Sequence, residues 1–271
     1  MSLWHTTLDI VFVKPRYYYQ SYTDFWELVR LSNFRQCYID QIDLKSSDTY
    51  IITMVDPKRD KWHLSWWQKR RKQARLIFWD LERPKPRGGV EADKRFLDRQ
   101  NFDEVWHSDY QLAKELGTRY VILGSDVRLG NEPAIKKKYD VAHMSFTNDR
   151  RRNLLDRIKV KIGPNCWGKK RDKVLRHAKF GLTVHQDDDF YIEPLRLALF
   201  ASYELPIISE RSYSLFPLSD IMLQTTYSNL VSFVPECVED YSSLKELGKE
   251  IKQRLCVDYQ FGNVVRYTVR N

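Results

Sequence analysis

The chain has 271 residues, with 45 Lys and Arg against 36 Asp and Glu, a formal net charge of +9, and 42% apolar residues. That length holds one large domain or two of about 130 residues, each able to bury its own core. No apolar run approaches the ~18 residues of a membrane span, which argues against stable membrane insertion. The opening Met1-Ser2-Leu3-Trp4-His5 lacks a basic region followed by an apolar core, so no secretory signal is expected. Cys37, Cys166, Cys237 and Cys256 are scattered without a Cys-x-x-Cys pair, so neither a zinc site nor a disulfide framework is suggested. The expected location is the cytoplasm.

In chain order, residues 7–13 read as a first strand and 22–31 as an amphipathic helix. A buried strand follows at 50–55, a helix at 62–73, and a strand at 75–82 that stops at Pro84. Pro86 and Gly88-Gly89 read as loop. Strands at 103–107 and 119–123 flank a helix at 110–116 that Gly117 ends. The polar interval around Gly130, Asn131 and Pro133 is the expected linker. The alternation then restarts: strand 139–144, helix 149–157, strand 159–162, helix 169–178, strand 180–186, a helix opening at Glu193-Pro194, strand 206–209, strand 230–234 and helix 242–256. Continuous apolar strands separated by helices predict parallel sheets covered on both faces. The expected organisation is two facing Rossmann-like α/β domains sharing a central cleft: residues 1–130, residues 138–256, and a tail at 257–271.

The charge is uneven. Residues 58–75 carry eight Lys or Arg against one Asp, and residues 157–176 repeat that ratio. Such runs either attract polyanions or simply solvate a helix face. In the first run, Trp62, Trp66 and Trp67 interleave with cations including Lys69, Arg70 and Arg71. With Arg16 and Tyr17-Tyr18-Tyr19, they would form a nucleic-acid surface where bases stack and phosphates are neutralised. Trp62 and Trp66, four apart, equally fit the buried stripe of a helix.

The most informative stretch runs from Phe180 to Glu210. An apolar strand empties into Asp187-Asp188-Asp189-Phe190-Tyr191-Ile192, and a helix N-terminus faces that turn. This is where open α/β sheets bind phosphorylated ligands. Over residues 138–210 the chain resembles the nucleotide-sugar half of the two-domain, GT-B type glycosyltransferases. The resemblance implies transfer of a sugar from a nucleotide-diphosphate sugar to a hydroxyl, without cofactor or metal. Ser145 to Leu155 is similar to the family's diphosphate-binding turn and helix, which assigns Ser145, Arg150 and Arg151 to the donor. Trp167, in the Gly163–Gly168 turn, falls where family members meet the nucleotide base. Asp189 and Glu193 would meet sugar or ribose hydroxyls, and Arg196, near the place of a family glutamate, the phosphates; His185, on a strand, fits a sugar ligand and a satisfied core histidine equally. The absent glutamate is a departure from the family's pattern. Asp187-Asp188-Asp189 also admits a rival reading, the metal-holding acidic motif of single-domain transferases.

The first domain should supply a catalytic base among Glu82, Asp80 and Asp109 if the transfer inverts configuration. With its basic, aromatic edges the chain resembles phage-encoded glycosyltransferases, some of which decorate hydroxymethylated bases. The implied acceptor is a hydroxymethyl-pyrimidine flipped from double-stranded DNA. The alternatives are a cell-surface glycan or lipid-linked acceptor, and a non-catalytic nucleic-acid-binding module on a degenerate transferase fold.

Overall fold

A computed structural model of the chain describes residues 9–15, 22–43, 48–53, 74–81, 88–100, 102–130, 136–188, 190–213 and 217–271. Contacts between Cα atoms divide it into two compact units. The first comprises Met1–Tyr18, Ser32–Ser108 and Leu112–Val121, the second Tyr19–Leu31, Asp109–Gln111 and Ile122–Asn271. The expected helix at 62–73, and with it Trp66, Lys69, Arg70 and Arg71, lies outside the described residues, as do Arg16, Tyr17, Tyr18, Glu82 and Asp189.

The first unit holds a six-stranded sheet in the order β2-β1-β3-β4-β5-β6. Its strands are β1 (Ile10–Lys14), β2 (Arg35–Tyr38), β3 (Thr49–Thr53), β4 (Arg75–Asp80), β5 (Glu104–His107) and β6 (Arg119–Tyr120). Every pairing is parallel. β3 is buried at all five positions, which is why it reads as an unbroken apolar run. β2 was not anticipated: Arg35-Gln36-Cys37-Tyr38 is half-exposed at the sheet edge, so it carries no apolar signal. Trp79 of β4 meets Trp106 of β5 edge-on at 5.6 Å and donates to Ser108 Oγ at 2.9 Å, and that hydroxyl donates to Val121 O at 2.7 Å.

Three α-helices are described in this stretch of sequence. α1 (Thr23–Leu31) packs with the second unit. α2 (Val90–Gln100) follows Gly88 and Gly89 and was not anticipated, because Val90-Glu91-Ala92-Asp93-Lys94-Arg95 carries more charge than apolar periodicity. α3 (Tyr110–Leu116) is where it was expected.

The second unit has a five-stranded sheet ordered β11-β10-β9-β7-β8, again all parallel. Its strands are β7 (Tyr139–Ala142), β8 (Ile162–Gly163), β9 (Ala178–Thr183), β10 (Ile207–Glu210) and β11 (Leu223–Thr225). Alternate residues feed two cores. Phe180, Leu182 and Ile208 face α4 (Asp149–Leu155) and α7 (Leu230–Glu239), while Ala142 and Ile207 face α5 (Lys169–His177) and α6 (Pro194–Ser202). α6 lies so close to β9 that a Cβ on Gly181 would stand 2.4 Å from the Phe200 ring.

Two expectations are corrected here. Residues 230–234, expected as a strand, form the start of α7. Leu230, Val234 and Cys237 are its buried side, a spacing of one helical face that the short apolar run Leu230-Val231-Ser232-Phe233-Val234 conceals. Residues 257–271 are not a tail. After α8 (Tyr241–Leu244), α9 (Glu246–Lys252) and a π-helical turn at Gln253–Asp258, the chain forms α10 (Phe261–Arg270), with Phe261, Val265 and Val269 buried.

The end of the second unit is stitched to its beginning. Ser125 N donates to Leu255 O at 2.8 Å, Phe261 N donates to Ser125 O at 2.8 Å, and Gln260 Nε2 donates to Asp126 Oδ2 at 2.8 Å. α1 joins the same assembly. Phe25 packs edge-on against Phe261 at 5.7 Å, and Asp24 forms a buried ion pair with Arg171 of α5. Burial raises the Asp24 carboxyl above its usual range, and the Arg171 charge opposes that rise.

Candidate functional site

The C-terminal ends of β7, β9 and β10 deliver polar side chains to one place in the second unit. Leaving β7, the chain runs His143-Met144-Ser145. His143 is 2% exposed, with Nδ1 3.1 Å from Leu182 O and Nε2 2.6 Å from Ser145 Oγ. A carbonyl only accepts, so Nδ1 carries the proton, and the Ser145 hydroxyl donates to Nε2. Burial, and then the charges of Arg196 and Arg151, push the imidazole down to about 3, so it is neutral across the physiological range.

That depression makes stability depend on pH. Between about pH 3 and 6.5 the unfolded chain binds a proton at His143 that the folded chain refuses, so stability rises with pH through that window. Replacing His143 with Gln should flatten the slope by up to about 1.4 kcal/mol per pH unit, measured by denaturant melts at several pH values. An unchanged slope would show that the imidazole titrates normally in the folded protein.

The turn into α4 is capped by Asn148, whose side chain accepts from Arg151 N at 3.0 Å. Arg150 and Arg151 then point apart. Arg150 donates to both oxygens of Glu210, the last residue of β10, and to His185 O at 2.8 Å. Its guanidinium lies 3.9 Å from the centre of the Tyr227 ring, and Tyr227 Oη donates to Arg150 O at 2.7 Å. Arg151 is turned inward, 1% exposed, donating to Val184 O at 2.9 Å, Phe146 O at 2.7 Å and Glu193. Of three consecutive arginines, Arg150 and Arg151 were expected to face the ligand; the structure leaves Arg150 the more open, at 23% exposure against 1%.

Glu193 stands at the start of α6, just before Pro194, with its side chain 21% exposed. Its carboxylate bridges Arg151 and Arg196. Arg196 is buried beneath it, reaching Met144 O at 3.1 Å and Thr183 Oγ1 at 3.2 Å. Three arginines around two glutamates leave an excess positive charge at the strand ends, which adds to burial in depressing the basicity of His143. Asp188, on the exposed turn after β9, acts from outside on Arg150.

The remaining expected residues fall as follows. His185 is 2% exposed; its Nε2 lies 3.0 Å from Arg211 O and its backbone N donates to Glu210 at 3.0 Å, so it is a bonded core histidine in this cluster. Ser145 is buried at 2%. Trp167 is half-buried in the loop after β8, whose Asn165 donates to Ser145 O and lies 3.4 Å from Thr147 Oγ1, joining that loop to the turn after β7. Asp109 is 5% exposed and accepts from Ile192 N at 2.7 Å, which holds the backbone next to Glu193. Asp80 ends β4 of the first unit at 4% exposure.

Sequence reasoning missed His143, Thr183, Glu210 and Tyr227. Glu210 had a legible signal, a carboxylate closing the apolar run Leu205-Pro206-Ile207-Ile208-Ser209. Tyr227 had none, because it reaches Arg150 from a loop 77 residues away. Among the described residues, no group of three or more His, Cys, Asp or Glu is placed to hold a metal ion. No described helix is long and apolar enough to cross a membrane.

Comparison of whole folds now decides the architecture. HepE of Anabaena, solved in complex with UDP and glucose, matches with a TM-score of 0.64 at 10% identity, over 97% of this chain and 99% of that one. The fold is that of the GT-B glycosyltransferases. The apo lipopolysaccharide outer core galactosyltransferase WaaB matches at 0.57, with 10% identity over 96% of this chain and 98% of that one. A mutant of S. aureus TarM, in complex with Fondaparinux, alpha-GlcNAc-glycerol and UDP, matches at 0.58, with 12% identity over 90% of this chain and 57% of that one.

In sequence, two uncharacterized proteins of Acanthamoeba polyphaga mimivirus are similar. L140 is 31% identical over 108 residues, and L138 is 32% identical over 106. These matches cover 37% and 36% of this chain, which spans 34% and 11% of those proteins. No family model matches the chain.

Proposed function

We propose that this chain is a glycosyltransferase that takes its sugar from a nucleotide-diphosphate donor bound at the C-terminal ends of β7, β9 and β10. The observation that carries this reading is the cationic cluster of Arg150, Arg151 and Arg196 around Glu193 and Glu210, set at the end of a parallel sheet where phosphorylated ligands bind. Arg150, the most open of the three, is the phosphate contact. Arg151 and Arg196 supply positive charge from beneath. Glu193, at the surface, accepts from sugar or ribose hydroxyls, and Trp167 lies on the side of the nucleotide base. Asp109 positions the Glu193 backbone through Ile192 N, which leaves Asp80 and Glu82 to deprotonate the acceptor. The reading needs no cofactor or resident metal, and a chelator should leave donor binding intact.

For the acceptor, a glycan or lipid-linked hydroxyl is the reading we favour. The hydroxymethyl-pyrimidine reading draws its support from residues 58–75, of which 58–73 lie outside the described residues.

UDP, which HepE holds, is the first nucleotide to try. Arg150→Ala should weaken UDP binding tenfold or more in calorimetry and leave uridine binding unchanged, since a charge-assisted hydrogen bond contributes about 1.5–3 kcal/mol. Equal losses for UDP and uridine, or none, would remove Arg150 from the phosphates. A screen of nucleotide sugars against hydroxymethylated DNA and against glycan acceptors, read by mass spectrometry, decides the acceptor.

A further inference from the structure

The order of the strands decides what surrounds Arg150. Glu210 closes β10, and its partner in the sheet is Thr225 of β11, two residues before Tyr227. His185 follows β9, and Arg150 lies in the first turn of α4, after β7. The order β11-β10-β9-β7 therefore sets Tyr227, Glu210, His185 and Arg150 in a row across the strand ends.

A guanidinium has five N–H donors in one plane. In Arg150 three are used: Nη1 donates to Glu210 Oε2 at 2.9 Å and to His185 O at 2.8 Å, and Nη2 donates to Glu210 Oε1. One face of the group is covered by Tyr227, whose ring centre lies 3.9 Å from Cζ. The remaining donors are Nε–H and the outer N–H of Nη2, and neither meets an acceptor among the described residues. They share one side edge of the plane and form a parallel fork of the kind that takes two oxygens of one carboxylate or phosphate. Glu210 is itself fixed: it is 2% exposed and also accepts from His185 N at 3.0 Å.

We infer that Glu210 is a positioning residue of the donor site: by holding the end edge of Arg150, it presents the Nε–Nη2 edge to two oxygens of a single donor phosphate. The inference rests on the donor reading and adds to it a residue that never touches the ligand. Without Glu210 a long side chain must be immobilised at the moment of binding, which costs about threefold to tenfold in affinity. Charge alone predicts the opposite sign, because removing a carboxylate makes the site more attractive to an anion.

The test is calorimetry of UDP and of inorganic pyrophosphate with the unaltered protein, Glu210→Gln, Arg150→Ala and the double variant, with the melting temperature of each as folding control. Glu210→Gln should weaken both ligands about threefold to tenfold, and should weaken neither further once Arg150 is replaced. Tighter binding by Glu210→Gln, or the same loss with and without Arg150, leaves the donor reading standing and overturns this inference alone. The hold itself is read in the unaltered protein by NMR of the arginine side chains. Hydrogen bonds from both Nη atoms hinder rotation about the Cζ–N bonds, so the signals that vanish in Arg150→Ala should be resolved rather than averaged. Averaged signals would overturn the inference even if Glu210→Gln does not fold. If neither UDP nor pyrophosphate binds the unaltered protein, the donor reading fails, and the fork has no phosphate to hold whatever the NMR signals show.

Discussion

Replacing Glu193 with Ala will destabilise the second unit by about 3–5 kcal/mol, because it strips the shared carboxylate from two buried arginines. Arg151 and Arg196, at 1% and 7% exposure, are largely shielded from water. At roughly 2–4 °C per kcal/mol for a chain of this size, the melting temperature should fall by about 10 °C. The cause is uncompensated charge, so adding Arg196→Leu should recover part of the loss even though it removes further hydrogen bonds. A double variant less stable than the single one would show that packing and hydrogen bonding, not charge, dominate here. A shift of only a degree or two in the single variant would show that water reaches the arginines readily.

The second large effect is expected at the seam between residues 124–126 and the C-terminal segment. A Cβ at Gly124 would stand 1.6 Å from Tyr259 O, so Gly124→Ala cannot be absorbed by a side-chain movement; the two backbones must part. That severs the bonds of Ser125 to Leu255 and Phe261. Deleting residues 257–271 goes further, uncovering Phe25 and removing Phe261, Val265 and Val269 from the core. At about 1.5–3 kcal/mol for each large apolar side chain, the loss is comparable with the whole 5–15 kcal/mol stability of a typical domain. Neither variant should yield protein with a cooperative melt. A truncated chain melting within a few degrees of the parent would show that α10 is dispensable.

The sheets were legible because buried parallel strands are apolar at every position, as in Tyr50-Ile51-Ile52 and Leu76-Ile77-Phe78-Trp79. The same rule misled at Leu230–Val234, where a helix presses an apolar face on a large core and five residues are too few to show its period. It also overlooked β2 and β11, edge strands whose polar residues have no reason to be apolar. In the site, Glu193 and Arg196 could be found because they flank a helix start after a long apolar strand. What could not be read was who holds whom. The pairing of Arg150 with Glu210, the inward turn of Arg151, and the tautomer of His143 depend on contacts between segments tens of residues apart, set by strand order rather than by local sequence.

The uneven charge has a physical consequence of its own. Residues 136–179, with 15 Lys and Arg against four Asp, carry net +11, while residues 180–271, with eight Lys and Arg against 13 Asp and Glu, carry net −5. Both ends of the strands carry exposed charge of both signs: Lys169 and Lys170 follow β8, and Glu236 and Glu239 lie in the last turn of α7. The asymmetry therefore lies between the two segments rather than along the strands. Segments of opposite net charge folded into one unit attract each other, a diffuse stabilisation that salt screens over about 8–10 Å.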